Sequence, residues 1–440
     1  MSKYKIKVDR ERRIGKIDKN IYGHFIEHLG RCIYGGIYEE ESPLSDEDGF
    51  RKDVLEAVKK IKCPILRWPG GNFASNYHWE DGIGPKDKRP VRFDLAWSKE
   101  ETNRFGTDEF IKYCRKVGAK PYICNNLGTG NLDETIHWLE YCNSSGNTEY
   151  AKLRKKMGYE KPHNVKYWGV GNEIYGKWQV GHRSAKEYAE VLREYAQFMK
   201  KVDPTIKIIA VGADDPAWDM EVIRIAGEHI DYISNHQYLG SDSYYGTVGS
   251  VYHVERRLKI LDGVIKAFQP EGKDIKIALD EWNIWYRSGP EEGLEENYAL
   301  KDGLFAAGVF VVLHRMCNSV TMANLAQLVN VIGAIHTTKE GMFLTPIYHA
   351  FDLFVNHTGE VVLDPLIISD TYNVEEVARP FSKSKKLKLE NLPYIDASVT
   401  LDSEEKKLYL AVINYHEKEE VACPIHLDGF NPESLSLIHI

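Results

Sequence analysis

The sequence predicts an α/β chain, a (β/α)8 TIM barrel followed by a C-terminal all-β sandwich domain. Short β-branched or apolar runs alternate eight times with longer stretches of helical period. After residue 357 the alternation gives way to short runs of period two, the pattern of half-solvated antiparallel strands. The length of 440 residues exceeds the roughly 250 that a bare barrel needs.

The elements follow in order. Residues 3–9 alternate charged and apolar side chains and are expected to pair with the β domain, so residues 1–16 are assigned to it. Barrel strands are expected at 20–25, 64–68, 120–124, 166–170, 206–211, 232–236, 275–279 and 319–323. Helices are expected at 53–61, 107–117 with Thr107 as N-cap, 184–202, 251–268, 298–316 and 346–356. Strands closing on themselves leave no exposed edge, which favours a ring over an open sheet. Neither GxGxxG nor GxxxxGK[ST] stands at the first strand end, so the commonest reason for an open nucleotide-binding sheet is missing. Strands at 360–364, 397–401, 407–414 and 420–426 fill the second domain, giving a barrel over 17–357 and a sandwich over 358–440.

Composition narrows the function classes. The chain is 43% hydrophobic and 28% charged with a formal net charge of −8, an ordinary globular balance. No nucleic acid is expected as partner, because lysine runs such as 155–156 and 383–388 read as solvated loop or helix faces. No membrane is expected either, since the apolar run around 304–313 falls short of the ~20 residues needed to span one. The start carries no apolar secretory core, and seven scattered cysteines lack CxxC spacing, so the reading is a cytoplasmic protein without disulfides or structural zinc.

A TIM barrel presents its chemistry at the C-terminal ends of the strands, and here those ends are rich in polar residues. Strand one runs into Gly23-His24-Phe25-Ile26-Glu27-His28, strand two into Arg67-Trp68-Pro69-Gly70-Gly71-Asn72, and strand four into Gly171-Asn172-Glu173. Strand six ends in Asn235-His236-Gln237-Tyr238, strand seven in Asp280-Glu281-Trp282-Asn283, and strand eight runs through Asn324 to Gln327. Such a lining suits a substrate with many hydroxyls. Cleaving a glycosidic bond with retention needs two carboxyls about 5–5.5 Å apart, one protonated and one ionised. Glu173 and Glu281 fit those roles as acid/base and nucleophile, delivered to one mouth by strands four and seven. Mutual repulsion is expected to keep Glu173 protonated while Arg67 keeps Glu281 ionised. Asn172 is placed to meet a sugar 2-hydroxyl.

Gly23-His24-Phe25-Ile26-Glu27-His28, Arg67-Trp68-Pro69-Gly70-Gly71-Asn72-Phe73, Trp168-Gly169-Val170-Gly171-Asn172-Glu173 and Asp280-Glu281-Trp282-Asn283, with Asp94-Leu95-Ala96-Trp97, Glu101-Thr102-Asn103 and Ala326-Gln327-Leu328-Val329-Asn330, resemble glycoside hydrolase family 51. The resemblance covers the barrel and enters the β domain. It implies an exo-acting, retaining α-L-arabinofuranosidase taking terminal non-reducing residues from arabino-oligosaccharides, with the strand-four Glu as acid/base and the strand-seven Glu as nucleophile. It further implies that Glu27, Arg67, Asn72, Trp97, Asn172, His236, Tyr238 and Gln327 line the sugar subsite or orient the carboxylates. No cofactor or metal is implied, and a homo-oligomer, commonly a hexamer, is. Tyr22 and Trp282 read as packing residues. The chain stops at Ile440, short of where members usually end, and 435–440 does not read as a closing strand, so an incomplete β domain is expected.

Three other readings compete. His24-x-x-Glu27-His28 matches the H-x-x-E-H zinc-protease pattern, but it follows a strand instead of lying on a helix. A non-catalytic carbohydrate-binding remnant would not need both carboxylates. A β-xylosidase or endoglucanase would keep the barrel and change the sugar.

Overall fold

The computed structural model describes residues 3–286, 294–379 and 382–438. Met1, Ser2, His439 and Ile440, which belong to the terminal segments read above, lie outside the described residues. Eight parallel strands close into a barrel: Gly23–Phe25, Ile65–Trp68, Lys120–Asn125, Tyr167–Val170, Lys207–Ala210, Tyr232–Leu239, Lys276–Ile284 and Val320–Ala326. Each pairs with the next, and the eighth returns to the first through Asn324↔Gly23 and Ala326↔Phe25. That last pairing rules out an open doubly wound sheet. Ile65, Tyr122, Tyr167, Ile209, Tyr232, Ala278 and Met322 pack together inside the ring, while the alternate positions face the helices.

Strand one is shorter than its apolar run suggests. The Asp18 carboxylate accepts the Asn20 N–H at 2.9 Å and closes a 3-10 turn over Lys19–Tyr22, so extended backbone starts only at Gly23. Thr107 is the first residue of its helix and not the cap, which is Gly106. A side chain at 106 would stand 1.9 Å from the Gly82 carbonyl oxygen, so glycine is required there, and the Glu109 carboxylate accepts its N–H. Helices Leu132–Asn143, Glu149–Lys156 and Pro216–Ala226 add to those expected from the sequence.

The long helix Tyr244–Phe268 starts seven residues before the expected 251, capped by the Ser243 hydroxyl on the Gly246 N–H. Its Gly249 lets a hairpin settle on it, since a Cβ there would lie 2.9 Å from Val374 Cγ2 and 3.0 Å from Leu392 Cδ1. That hairpin, Thr371–Arg379 with Ser382–Pro393, contains the lysine run at 383–388, which is therefore strand and not loop or helix.

Beyond the barrel, strand Lys5–Asp9 pairs antiparallel with Leu366–Ile368 and parallel with Ile425–Asp428. A second sheet joins Arg13–Lys16, Val361–Leu363, Ile395–Leu401 and Leu408–Asn414. The two sheets share a core of Ile6, Val8, Leu363, Ile395, Ala397, Val399 and Leu401. Among the described residues no helix is long and apolar enough to cross a membrane, and all seven cysteines are free.

Candidate active site

The barrel mouth gathers its polar residues through local irregularities in the strands. Strand seven carries one residue more than both neighbours: Ala278 and Glu281 pair with Ser234 and His236, while Leu279 and Trp282 pair with Ala323 and Leu325. This bulge breaks the alternation of faces, so consecutive Asp280 and Glu281 both reach the same cluster. Trp282 turns outward and stacks on Phe351. Strand four ends at Val170, and the turn through Gly171 (φ 86°) brings Glu173 inward with a left-handed φ of 41°. Such a backbone at a non-glycine residue costs about 1–3 kcal/mol and persists only where its surroundings hold it.

Glu281 is gripped on both oxygens. Arg67 Nη1 donates to Oε1 at 2.6 Å, and the Tyr238 hydroxyl donates to Oε2 at 2.7 Å. Arg67 also donates through Nη2 to Asn172 Oδ1 at 2.7 Å, which leaves the buried Asn172 Nδ2 without a hydrogen-bond partner. Gly71 is necessary for this approach, because a Cβ there would lie 2.9 Å from Glu281 Oε1 and 3.2 Å from Asn172 Nδ2. His236 bridges the two glutamates, with Nδ1 2.8 Å from Glu173 Oε1 and 3.6 Å from Glu281 Oε2. One carboxylate oxygen from each of Glu173 and Glu281, with a His236 nitrogen, lie within 4.8 Å of one another.

A metal ion would also suit that spacing. Glu281, however, already accepts from Arg67 and Tyr238, and the His236 nitrogen is engaged with Glu173, so the cluster reads as a proton-sharing one. The H-x-x-E-H trio does not converge. His24 is buried against Phe351 with its pKa pushed down to about 3 by burial, and His28 is taken up by Glu101 at 2.9 Å and Trp68 at 3.1 Å.

Glu27 forms the far wall. Its Oε1 accepts from the Gly71 and Phe73 N–H groups, each at 3.1 Å, and from Trp97 Nε1 at 3.3 Å, while Oε2 accepts from Gln327 Nε2 at 3.2 Å. Asn72, half-buried, opens the 3-10 turn beside Gly71.

The charge distribution corrects the sequence reading of Glu173. Burial raises its pKa, but the hydrogen bond and charge of His236 outweigh burial, and the net direction is down. Repulsion from Glu281 falls on Glu27, whose carboxyl is pushed up to about 7, first by burial and then by that charge.

The comparisons with known proteins agree on one family. Residues 57–256 match the model of the α-L-arabinofuranosidase 1 domain, and residues 280–438 that of the α-L-arabinofuranosidase C-terminal domain. α-L-Arabinofuranosidase C of Emericella nidulans is 42% identical over 446 residues, covering 96% of this chain and 87% of the relative. The chain belongs to the α-L-arabinofuranosidases of glycoside hydrolase family 51. It is a glycoside hydrolase that acts on arabinofuranosides. The arabinose-complex structure of the Thermotoga maritima α-L-arabinofuranosidase superposes with a TM-score of 0.94 at 58% identity, covering 97% of this chain and 88% of that one. The intracellular exo-α-(1→5)-L-arabinofuranosidase 1 of Bacillus subtilis is 38% identical over 454 residues, covering 98% of this chain and 88% of its own length.

Within this family 51 barrel, Glu27, Arg67, Trp97, Asn172, Glu173, His236, Tyr238, Glu281 and Gln327 come together at the mouth and Asn72 flanks it beside Gly71, while His24 packs on Phe351 and His28 on Glu101. Three contacts escaped the sequence. Trp178, 61% exposed, donates from Nε1 to Glu173 Oε2 at 3.3 Å. Tyr175 lies beside the same carboxyl and helps to hold its pKa down. Asp280 lies 3.3 Å from His236 Nε2 and accepts the Tyr122 hydroxyl at 2.7 Å.

Proposed function

We propose that the chain is a retaining, exo-acting α-L-arabinofuranosidase that releases terminal non-reducing residues from arabino-oligosaccharides by double displacement. The observation that carries this reading is the approach of the Glu173 and Glu281 oxygens to within 4.8 Å, with His236 between them. That spacing suits direct attack by one carboxyl and leaves no room for the water that an inverting pair must admit. In the first displacement a carboxylate oxygen of Glu281 bonds to the anomeric carbon, while the glycosidic oxygen leaves with a proton from Glu173. In the second, Glu173 takes a proton from water, whose oxygen replaces Glu281 on the same carbon.

Arg67 and Tyr238 hold the nucleophile, and the unpartnered Asn172 Nδ2 is free to meet the 2-hydroxyl as oxocarbenium character develops. Glu27, Asn72, Trp97 and Gln327 shape the arabinofuranose subsite, and His236 orients both carboxylates. We assign the barrel to residues 17–357 and the β domain to 1–16 and 358–440. A cytoplasmic site is supported by the intracellular Bacillus relative, and short imported oligosaccharides follow as substrates. A homo-oligomer, a hexamer by family resemblance, completes the reading and is tested by light scattering.

The activity test is turnover of an aryl α-L-arabinofuranoside by wild type and Glu173→Ala, with aryl β-D-xyloside as the competing sugar. The variant is expected to lose about 10²–10⁴-fold and to recover with azide. An unchanged rate removes Glu173 from the mechanism.

A further inference from the structure

The His236 ring presents one edge to each of two partners. Nδ1 faces Glu173, and Nε2 faces Asp280 Oδ1 at 3.3 Å. Asp280 is 1% exposed. Its Oδ2 accepts the Tyr122 hydroxyl at 2.7 Å and lies 3.6 Å from Arg67 Nε. Asp280 is thus walled in by protein groups on strands two, three and six, behind the carboxylates that meet the sugar.

A neutral imidazole carries one N–H, and the partner of one nitrogen decides which role the other plays. We propose that Asp280 is a positioning residue for the acid/base step, fixing a proton on His236 Nε2 so that Nδ1 is the nitrogen that trades a proton with Glu173. The inference rests on the reading of Glu173 as the acid/base. As the Nδ1–H bond breaks, its electron pair stays on nitrogen and an O–H bond forms on Glu173. The imidazole left behind is neutral and still carries Nε2–H toward Asp280. The reverse transfer returns the proton when Glu173 has acted as base. Without a carboxylate at 280 the single proton settles on Nδ1, donates to an ionised Glu173 and leaves no acid.

The groups facing this ring are Asp280 and Glu281 on strand seven and Glu173 after strand four. Arg67 on strand two, Tyr122 on strand three and Tyr238 on strand six meet it through those carboxylates. Burial lowers the His236 pKa, but the charges of Glu281 and Asp280 and the hydrogen bond to Glu173 outweigh it and push it up to about 10. Asp280 itself is held below the usual carboxylate range, since the charges of Arg67 and His236 outweigh burial.

The test compares kcat/KM against pH for 4-nitrophenyl α-L-arabinofuranoside, whose leaving group needs little protonation, and for arabinobiose, whose leaving alcohol needs a proton. Asp280→Asn is expected to lose about 10²–10⁴-fold on arabinobiose and under about tenfold on the aryl substrate. Its alkaline limb should move toward neutral pH by about one unit or more. Tyr122→Phe, which keeps the charge, should show the same split with a smaller loss, and it decides the question alone if Asp280→Asn does not fold. Equal losses on both substrates, or an unmoved pH profile, overturn the role of Asp280. Glu173→Ala runs alongside. If it shows the leaving-group split and the Asp280 and Tyr122 variants do not, only the present inference falls. If it shows no split, the acid/base assignment falls first.

Discussion

Two buried clusters of arginine, histidine and carboxylate do opposite things in this molecule. Where the barrel meets the β sheets, Arg315 donates to both oxygens of Glu255 at 3.0 Å and to Asp396 at 2.7 Å. Its neighbour His314 joins Tyr22 at 2.6 Å and Ser398 at 2.7 Å, and burial drives its pKa down to about 3. Every polar side-chain atom of those four partners is satisfied or in contact with solvent. At the barrel mouth Asn172 Nδ2 and Arg67 Nε are left without hydrogen bonds, Asp280 Oδ1 has only the 3.3 Å approach of His236 Nε2, and His236 is pushed toward its charged form. A closed network fixes the arrangement of two layers; an open one keeps polar valence for a substrate and a mobile proton.

Substitutions in the two clusters should have opposite consequences. Glu281→Ala should reduce kcat by about 10⁴-fold or more while the melting temperature holds or rises, because the mouth is built for reaction and not for stability. A matching loss of stability would erase the distinction. Arg315→Met should do the reverse, destabilising by about 3 kcal/mol in urea through the uncompensated buried Asp396, since Glu255 keeps Lys259 at 2.8 Å, with kcat/KM unchanged in the folded fraction.

Glu27→Gln probes strain at the mouth. A carboxyl whose folded pKa is raised from 4.5 to about 7 carries no penalty below 4.5 and a full one above 7. The variant should therefore gain about 1–3 kcal/mol over wild type at about pH 8 and nothing at about pH 4, while kcat/KM falls tenfold or so. A gain that does not depend on pH would contradict the burial account. The smallest effect belongs to His314→Phe. It should cost about 1 kcal/mol near neutrality for the lost hydrogen bonds. A histidine whose folded pKa is lowered from 6.5 to about 3 loses stability as pH falls through that window, so the deficit should shrink or reverse at about pH 4.

Much of this was legible in the sequence, for identifiable reasons. The eight barrel runs are short, apolar and regularly spaced by helical patterns, and their polar ends follow from where a TIM barrel places its loops. Asp280 was not legible as a site residue, because strict alternation sends it and Glu281 to opposite faces and only the bulge in strand seven reconciles them. Trp178 and Tyr175 sit in the loop after strand four, where no period constrains them. The hairpin over 371–393 was hidden by register shifts that break period two, such as the one bringing Leu389 and Leu392 both to buried positions. The start of helix Tyr244–Phe268 was obscured by Gly246 and Gly249, which read as loop; Ser241 and Ser243 crowd the first and the hairpin packs on the second. The downward shift at Glu173 was hidden for a related reason: the bridging ring of His236 is a tertiary fact, invisible in two sequence motifs 108 residues apart.

The most direct test of the paired-carboxylate account is the anomeric configuration of the first product, followed by proton NMR before mutarotation. Release of α-L-arabinofuranose from an aryl α-L-arabinofuranoside is the predicted result, since two displacements at one carbon restore the starting configuration. Initial formation of the β anomer would contradict it and return Glu281 to the role of a base acting on water.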